Sequence, residues 1–315
     1  MPNNIALPTG YQLQDYVISK VLSYGGFSFV YLARDKNQKT VAIKEYLPAT
    51  IALRANGTRV LPNTDDGVLF KRGLKCFFDE GLSLAKIDHK NIVRVLNFFR
   101  ANDTVYMVMQ YEHGKLLQDY ILGQTDLVSE QFIRQVFGGL CNGLREVHTH
   151  KLLHLDIKPA NIYIRLDGSP VLLDFGSARQ ALNESSTKIT PSYTPGFAPP
   201  EQYYDRKLLG PWSDIYSLGA TMYSCLIRTS PLAANLRIRQ DFLIPAVKVG
   251  KGHYSQNLLE IIDQCLHLDY MKRPQSVFAL QKSLLESTDE FKRKTSLMNK
   301  IVGILNRPIS TNKSS

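Results

Sequence analysis

The feature that most limits how this chain can fold is a change of hydrophobic period near residue 110. Before it, the sequence reads mostly as strands. "YVISKVLSYGGFSFVYLARD", Tyr16 to Asp35, alternates apolar and polar residues on both sides of Gly25-Gly26, the pattern of a hairpin. "TVAIKEYL", from Thr40, and "VYMVMQY", from Val105, are two more β-type runs. Between them "LFKRGLKCFFDEGLSLAKID" reads as a helix, with Leu74, Phe77, Phe78, Leu82 and Ala85 on one face. From about residue 115 the period becomes helical. Ile133, Val136, Phe137, Leu140, Leu144 and Val147 form a stripe behind Ser129, a candidate N-cap. Two short β runs follow, around Asn161 and before Asp174, then a loop rich in Ser, Thr and Pro over 177–199. Helical patterns return at 213–228, 256–268 and 275–287. This order predicts an α+β fold, a strand-rich lobe joined near "QYEHG" (110–114) to a helix-rich lobe. The cleft between two lobes is where a ligand is expected.

Composition narrows the class. The chain has 315 residues, 44% of them hydrophobic and 21% charged, which is a globular and not a disordered balance. No apolar run reaches the roughly 20 residues of a membrane span. "MPNNIALPTGYQ" lacks the basic and apolar blocks of a signal peptide. Cys76, Cys141, Cys225 and Cys265 are widely spaced within apolar helical patterns, which predicts reduced core thiols and a cytoplasmic protein. The net charge of +10 is read as a solvated basic surface. No nucleic-acid-binding signature accompanies it, so nucleic acid is not the expected partner.

Several polar groups then need one explanation. Lys44 sits inside the apolar run "VAIKEYL", where an unpaired lysine is rarely buried, so it is expected to face the cleft and meet an anion. Glu80 on the striped helix supplies a carboxylate. Asp174 ends the apolar run "PVLLDFG", a setting that suits a metal. Asp156, Lys158 and Asn161 share a loop between a helix and a short strand: a proton acceptor, a phosphate-holding cation and an amide oxygen for magnesium.

With those residues in view, the chain resembles a eukaryotic-type (Hanks-type) serine/threonine protein kinase domain over roughly 11–287. "VAIK", "HLDIKPAN", "DFG" and "APPEQ" stand in the family's order and at compatible intervals. The resemblance implies an N-lobe over about 11–109, a hinge at 110–114 and a C-lobe over about 115–287. It implies ATP with Mg2+, or Mn2+ in its place. Lys44 would hold the α- and β-phosphates, oriented by Glu80. Asp174 and Asn161 would hold the ions, Asp156 would take the acceptor proton, and Lys158 would steady the phosphoryl group. Leu22, Ser23, Gly25, Gly26, Ser28 and Val30 would cover the nucleotide. Ala42, Met109, Tyr163 and the backbone of Gln110 and Glu112 would surround its base. His154 would tie the catalytic loop to "DFG" in one apolar column with Leu84 and Phe175. Asp214 would hold that loop's backbone, and Glu201 would pair with Arg273. Thr194 in "TPGFAPPE" implies a serine or threonine acceptor on protein substrates. The phrases "GGFSFVYLARD" and "KEYLP" look more like bacterial members.

Three departures stand out. The phosphate-covering loop reads Ser23-Tyr24-Gly25-Gly26-Phe27-Ser28, and keeps only the middle glycine of the family's three. Since glycines admit positive φ and close phosphate approach, a stiffer loop is expected. Leu155 stands where the family usually has an arginine that reads a phosphate on the activation loop. Activity is therefore expected not to need that phosphate, whether on Ser185, Ser186, Thr187, Thr190 or Ser192. Residues 48–67 read as an inserted loop or hairpin turning at Asn56-Gly57. After the last kinase helix, 288–315 reads as a basic amphipathic helix and flexible tail, docked on its own domain or on an acidic membrane surface. His148, His150 and His154 invite a metal reading, but i, i+2 spacing favours structural roles. The competing function is a pseudokinase, a nucleotide-binding scaffold. The presence of all five core polar groups argues against it.

Overall fold

In the computed structural model, residues 4–54, 57–175 and 194–285 are described. Residues 176–193 and 286–315 lie outside them, as do Asn56 and the activation-loop hydroxyls named above.

Alternation before residue 110 yields one antiparallel sheet in the order β1-β2-β3-β4-β8-β7. Its strands are Gln12–Leu13, Tyr16–Tyr24, Ser28–Asp35, Thr40–Tyr46, Thr104–Gln110 and Val95–Ala101 (β1, β2, β3, β4, β8 and β7). β2 and β3 form the expected hairpin around the two glycines. β4 is central and is buried at every position from Val41 to Tyr46. Both faces of the sheet are therefore covered here, which strict polar alternation does not foretell.

The register assigns side chains to those faces. Val30 pairs with Lys44, Lys44 with Met107, and Ala42 with Met109. Because alternate residues share a face, Val30, Ala42, Lys44, Met107 and Met109 lie on one side. Tyr31, Ile43, Glu45 and Tyr106 lie on the other.

Helix α1, Gly67–Leu84, packs on the Lys44 side. Its buried face is Phe70, Gly73, Phe77, Glu80, Gly81 and Leu84. The expected stripe is thus rotated: Leu74 and Phe78 are only half-buried, and Leu82 and Ala85 are exposed. The glycines are the reason. Gly73 and Gly81 both lie on the buried face, and a Cβ on Gly81 would stand 3.1 Å from Met107 Cε. Tyr46 packs on Phe70 and Phe77, with ring centroids 5.5 and 5.6 Å apart.

The predicted insertion is built into the lobe. It forms a small hairpin, β5 (Ala52–Leu53) with β6 (Leu61–Pro62), against the sheet's far face. Gly57, the second residue of the expected turn, has φ +78, a conformation suited to glycine.

The C-lobe centres on α3, Glu130–Thr149. The predicted stripe is fully buried, and Ser129 Oγ caps the helix by accepting from Phe132 N at 3.3 Å. Helices Pro211–Ile227 and Gln256–Cys265 and helical residues 277–285 surround it. A three-stranded sheet, β11-β10-β9 (Pro170–Leu172, Ile162–Arg165, Gly114–Leu116), carries the polar loops to the cleft. Cys141, Cys225 and Cys265 are buried free thiols, but Cys76 is only half-buried. Among the described residues no helix is long and apolar enough to cross a membrane.

Candidate active site

The catalytic loop is held from below by a buried carboxylate. Asp214, in the first turn of helix Pro211–Ile227, accepts from His154 N (3.0 Å), Leu155 N (2.8 Å) and His148 Nε2 (2.8 Å). Burial pushes its pKa up, but these donors, led by His148, outweigh burial and hold it below the ordinary range. His148, one of the three histidines with no ligand role expected, is thus a support for Asp214.

His154 links two strands of the site. Its Nδ1 accepts from Asp156 N at 3.2 Å, so Nε2 is the protonated nitrogen and donates to Leu173 O at 2.7 Å. Burial lowers its pKa, which keeps this tautomer neutral. Its ring packs on Phe175 with centroids 4.4 Å apart and the planes tilted by 42°; Leu84, the other residue expected in that column, is buried.

Leu155 between them has φ 60, rare for a branched residue. The loop keeps it there by holding both peptide groups: Asp214 takes its N–H, and Gln202 Nε2 donates to its carbonyl at 3.0 Å. Its side chain is 9% exposed and apolar, with no means of binding phosphate.

Asp156 stands at the centre. Asn161 Nδ2 donates to both Asp156 O and Oδ2, each at 2.8 Å. Asn161 is anchored in turn by its own carbonyl, which accepts from Leu173 N at 2.8 Å. With the amide nitrogen committed to Asp156, Oδ1 is the atom Asn161 can offer a cation. Lys158 Nζ lies 2.9 Å from Asp156 Oδ2, and 2.9 Å from Thr194 Oγ1. Thr194 Oγ1 donates to Asp156 Oδ1 at 2.9 Å, closing a triangle of carboxylate, ammonium and hydroxyl.

On the N-lobe side Lys44 Nζ reaches the carboxylate of Asp174, and lies 5.3 Å from the Phe77 ring centroid. Glu80, three residues on from Phe77 along the same helix face, is buried at 6% exposure. Asp174 lies two residues beyond β11 and has φ 30. The five polar groups expected from the sequence are all buried or half-buried, with Lys44 on Asp174 and Asn161 on Asp156.

The residues expected to surround a base fall where the register puts them. Val30, Ala42 and Met109 line the Lys44 face. Gln110 N–H donates to Arg94 O at 2.9 Å, so its carbonyl is what it can present to a ligand. The Glu112 side chain takes Arg165 Nε at 2.7 Å and Nη2 at 2.8 Å, which ties the hinge to the C-lobe. Tyr163, half-buried on β10, pairs with Leu116 beyond the hinge. Leu22, Ser23, Gly25 and Gly26 are exposed and Ser28 is half-buried. Neither Gly25 nor Gly26 has positive φ, and a Cβ on either would meet nothing within 4 Å. The expected conformational demand for glycine is absent from this arrangement of the loop. The loop is tied down by Leu47 N to Phe27 O (3.0 Å) and Ala49 N to Gly26 O (2.9 Å).

The C-lobe brace matches its prediction. Arg273 Nη1 and Nη2 bond Glu201 Oε1 and Oε2 at 2.8 and 3.1 Å, with both side chains buried. Missed from the sequence were Glu45 and Arg54, a buried pair on the sheet's far face. Strand alternation signals Glu45, which must point away from Lys44. Nothing local signals Arg54.

Comparison with known proteins agrees with this geometry. The family model described as protein kinase domain matches residues 16–285. Human serine/threonine-protein kinase Nek2 is 33% identical over 217 residues, covering 64% of this chain and 48% of that protein. Serine/threonine-protein kinase D of Synechocystis sp. is 27% identical over 284 residues, covering 86% of this chain and 52% of that protein. Mouse serine/threonine-protein kinase Nek5 is 27% identical over 283 residues, covering 87% of this chain and 41% of that protein. The solved structure of PpkA-294 in its apo form superposes with TM-score 0.82 at 34% identity, covering 89% of this chain and 99% of that one. The chain belongs to the protein kinase domain family. It spans about half or less of the length of these curated relatives.

Proposed function

We propose that this chain is a serine/threonine protein kinase, transferring the γ-phosphoryl group of ATP to hydroxyls of protein substrates. The observation that carries the reading is the Asp156–Lys158–Thr194 triangle. It places a proton acceptor, a cation and an acceptor-side hydroxyl within 2.9–3.1 Å of one another.

Asp174 and the amide oxygen of Asn161 are hard oxygen donors, the set that suits Mg2+ or Mn2+ with the remaining sites left to phosphate and water. Among the described residues no cluster of three or more metal-ligating side chains is present. One carboxylate, one amide and nucleotide phosphates are enough. When bound, the ion supplies charge neutralisation on the phosphates. Lys44 binds phosphate oxygens once nucleotide competes for its contact with Asp174. Asp156 orients the acceptor O–H and takes its proton as the oxygen bonds to the γ-phosphorus. The bond from that phosphorus to the bridging oxygen breaks, and ADP leaves. Lys158 offsets the charge that gathers on the transferred group. The enzyme forms no covalent bond, so its contribution is position and field.

The acceptor enters beside the triangle. A cavity of about 410 Å³ there is lined by Ile121, Leu122, Lys158, Ala160, Thr194 and Phe197, among others, and among the described residues by no carboxylate. An acceptor segment with apolar neighbours fits it, and a run of basic residues finds no counter-charge among the described lining residues. Activity does not require a phosphate on the activation loop, because Leu155 offers it no partner. The pair Asp214 and Gln202 already fix the loop backbone. Residues 11–287 form the catalytic unit, working in the cytoplasm of a bacterium. The basic tail, placed here on the domain itself or on an acidic membrane, lies outside the described residues.

The test is phosphate transfer from labelled ATP, with Mg2+, to a serine- or threonine-containing protein, by the wild type and Asp156→Asn. Transfer should fall about 10²–10⁴-fold in the variant, the range for a lost general base, with nucleotide still bound. Nucleotide binding without any transfer by the wild type would instead define a pseudokinase scaffold. Alanine at Ser185, Ser186, Thr187, Thr190 and Ser192 together should leave transfer intact. Its loss in a folded variant would overturn the phosphate-independent reading.

A further inference from the structure

Glu45 and Arg54 take no part in the phosphate-transfer cluster, yet they form an ion pair with no side-chain exposure at either end. Glu45 accepts both terminal nitrogens of Arg54, Tyr31 Oη at 2.8 Å and Tyr106 Oη. Burial, with Glu45 adding to it, pushes both phenols upward, so they remain protonated donors. Arg54 also donates Nε to Thr58 O at 2.9 Å and Nη1 to Ile5 O at 3.3 Å. The cluster thus joins β3, β4, β8, the chain at Arg54 and Thr58, and the N-terminal residue Ile5 on the sheet's outer face.

A buried ion pair is a poor source of net stability, because desolvating two charges offsets most of their attraction. What such a pair does well is fix one arrangement among near-equals. Here the arrangement matters, because Lys44 precedes Glu45 in β4. A one-residue slip of that strand would exchange their faces and take Lys44 out of the cleft. The same segment reaches two other parts of the site. Leu47 and Ala49 hold the phosphate-covering loop through Phe27 O and Gly26 O. Tyr46 packs on Phe70 and Phe77 of α1, and Asn63 N to Ile51 O leads the chain into that helix.

We propose that the Glu45–Arg54 pair is a positioning device that clamps the 48–62 segment over the sheet and so holds Lys44, the phosphate loop and α1 in transfer-competent register. It performs from within the N-lobe an ordering role that needs no phosphate on the chain. Arg54 and Glu45 touch no reactant, so they are positioning and not catalytic residues. The proposal rests on the phosphotransfer reading for its kinetic arm alone.

Removing Arg54 alone strands a buried carboxylate, so the variant of choice is Glu45→Gln/Arg54→Met, which removes both charges. Tyr106→Phe, isosteric and lacking one donor to Glu45, is the milder second variant. Two quantities are read on the intact chain: hydrogen exchange of the α1 amides around Glu80, and kcat with the KM values for ATP and a peptide acceptor. In the double variant, α1 protection should fall about tenfold or more, in line with a lowered local opening free energy. kcat should fall at least tenfold, since a displacement of about 1 Å can cost 10² in rate, with the acceptor KM unchanged. Tyr106→Phe should move both in the same direction by a smaller factor, and carries the test by itself if the double variant does not fold. A lower melting temperature with α1 exchange and kcat unchanged would show a merely structural pair and overturn the proposal. If the wild type transfers no phosphate, the functional reading fails while the exchange arm still decides the clamp.

Discussion

Arg273→Met isolates the brace beneath the activation segment. The guanidinium of Arg273 makes both bonds to Glu201 and also serves three carbonyls: His267 O at 2.7 Å, Trp212 O at 3.2 Å and Leu268 O at 3.0 Å. Truncation leaves Glu201, 4% exposed, with the hydroxyl of Ser213 at 2.7 Å as its remaining bond among the described residues. An uncompensated buried carboxylate of this kind costs about 3–5 kcal/mol. For a chain of this size that corresponds to a fall in melting temperature on the order of 10 °C. Methionine keeps much of the apolar stem, so the loss reports charge and hydrogen bonds more than volume. The assay is thermal unfolding followed by circular dichroism, reading the C-lobe transition, because two lobes need not unfold in one step. Glu201→Gln/Arg273→Met removes the stranded charge and should lose less than the single variant. The penalty should also persist at high salt, since a buried pair is screened little. A single variant that loses under about 1 kcal/mol, or no more than the double, would refute the argument that the buried charge dominates.

Three further outcomes are expected. Thr194→Val should lose most transfer activity while Thr194→Ser keeps it, because the bond to Asp156 and Lys158 needs a hydroxyl and not a methyl; equal activity of the two would remove Thr194 from the mechanism. Ala160→Glu places a carboxylate in the acceptor cavity, so a peptide array should shift toward basic residues near the acceptor; an unchanged preference would mean substrates bypass this cavity. His154 is buried with its pKa below the ordinary 6.5. As pH falls the unfolded chain binds the proton first, so its stability contribution is complete above about pH 6.5 and declines as pH drops toward the lower folded value. Melting temperature measured from neutral to mildly acidic pH should fall less steeply in His154→Asn than in wild type, and equal slopes would discount the residue.

Much of the site was legible because its chemistry is local in sequence. Asp156, Lys158 and Asn161 lie within one short loop, and their spacing in a tight turn leaves few ways to point. Lys44 was legible because a charge in an apolar strand demands a reason. The stripe of α3 survived intact, with all six of its predicted residues buried. The stripe of α1 did not, because which edge of a helix approaches a sheet depends on where the sheet offers room. Gly81 decided that only once Met107 stood opposite. The role of glycine in the phosphate loop was also misjudged, since φ is settled by how neighbouring segments anchor the loop.

Local alternation, period and residue chemistry determined two lobes, a polar cleft between them and the identity of the groups that face it. Tertiary structure alone decided how those groups are held. Arg54 reaches Glu45, Arg273 reaches Glu201, and Asp214 reaches the backbone at His154 and Leu155 across 9, 72 and 59–60 residues of chain. A periodic pattern reports only what a residue shares with neighbours a few positions away. A buried charge, by contrast, is stable only where the whole fold delivers its partner, and no stretch of sequence contains both halves of that condition.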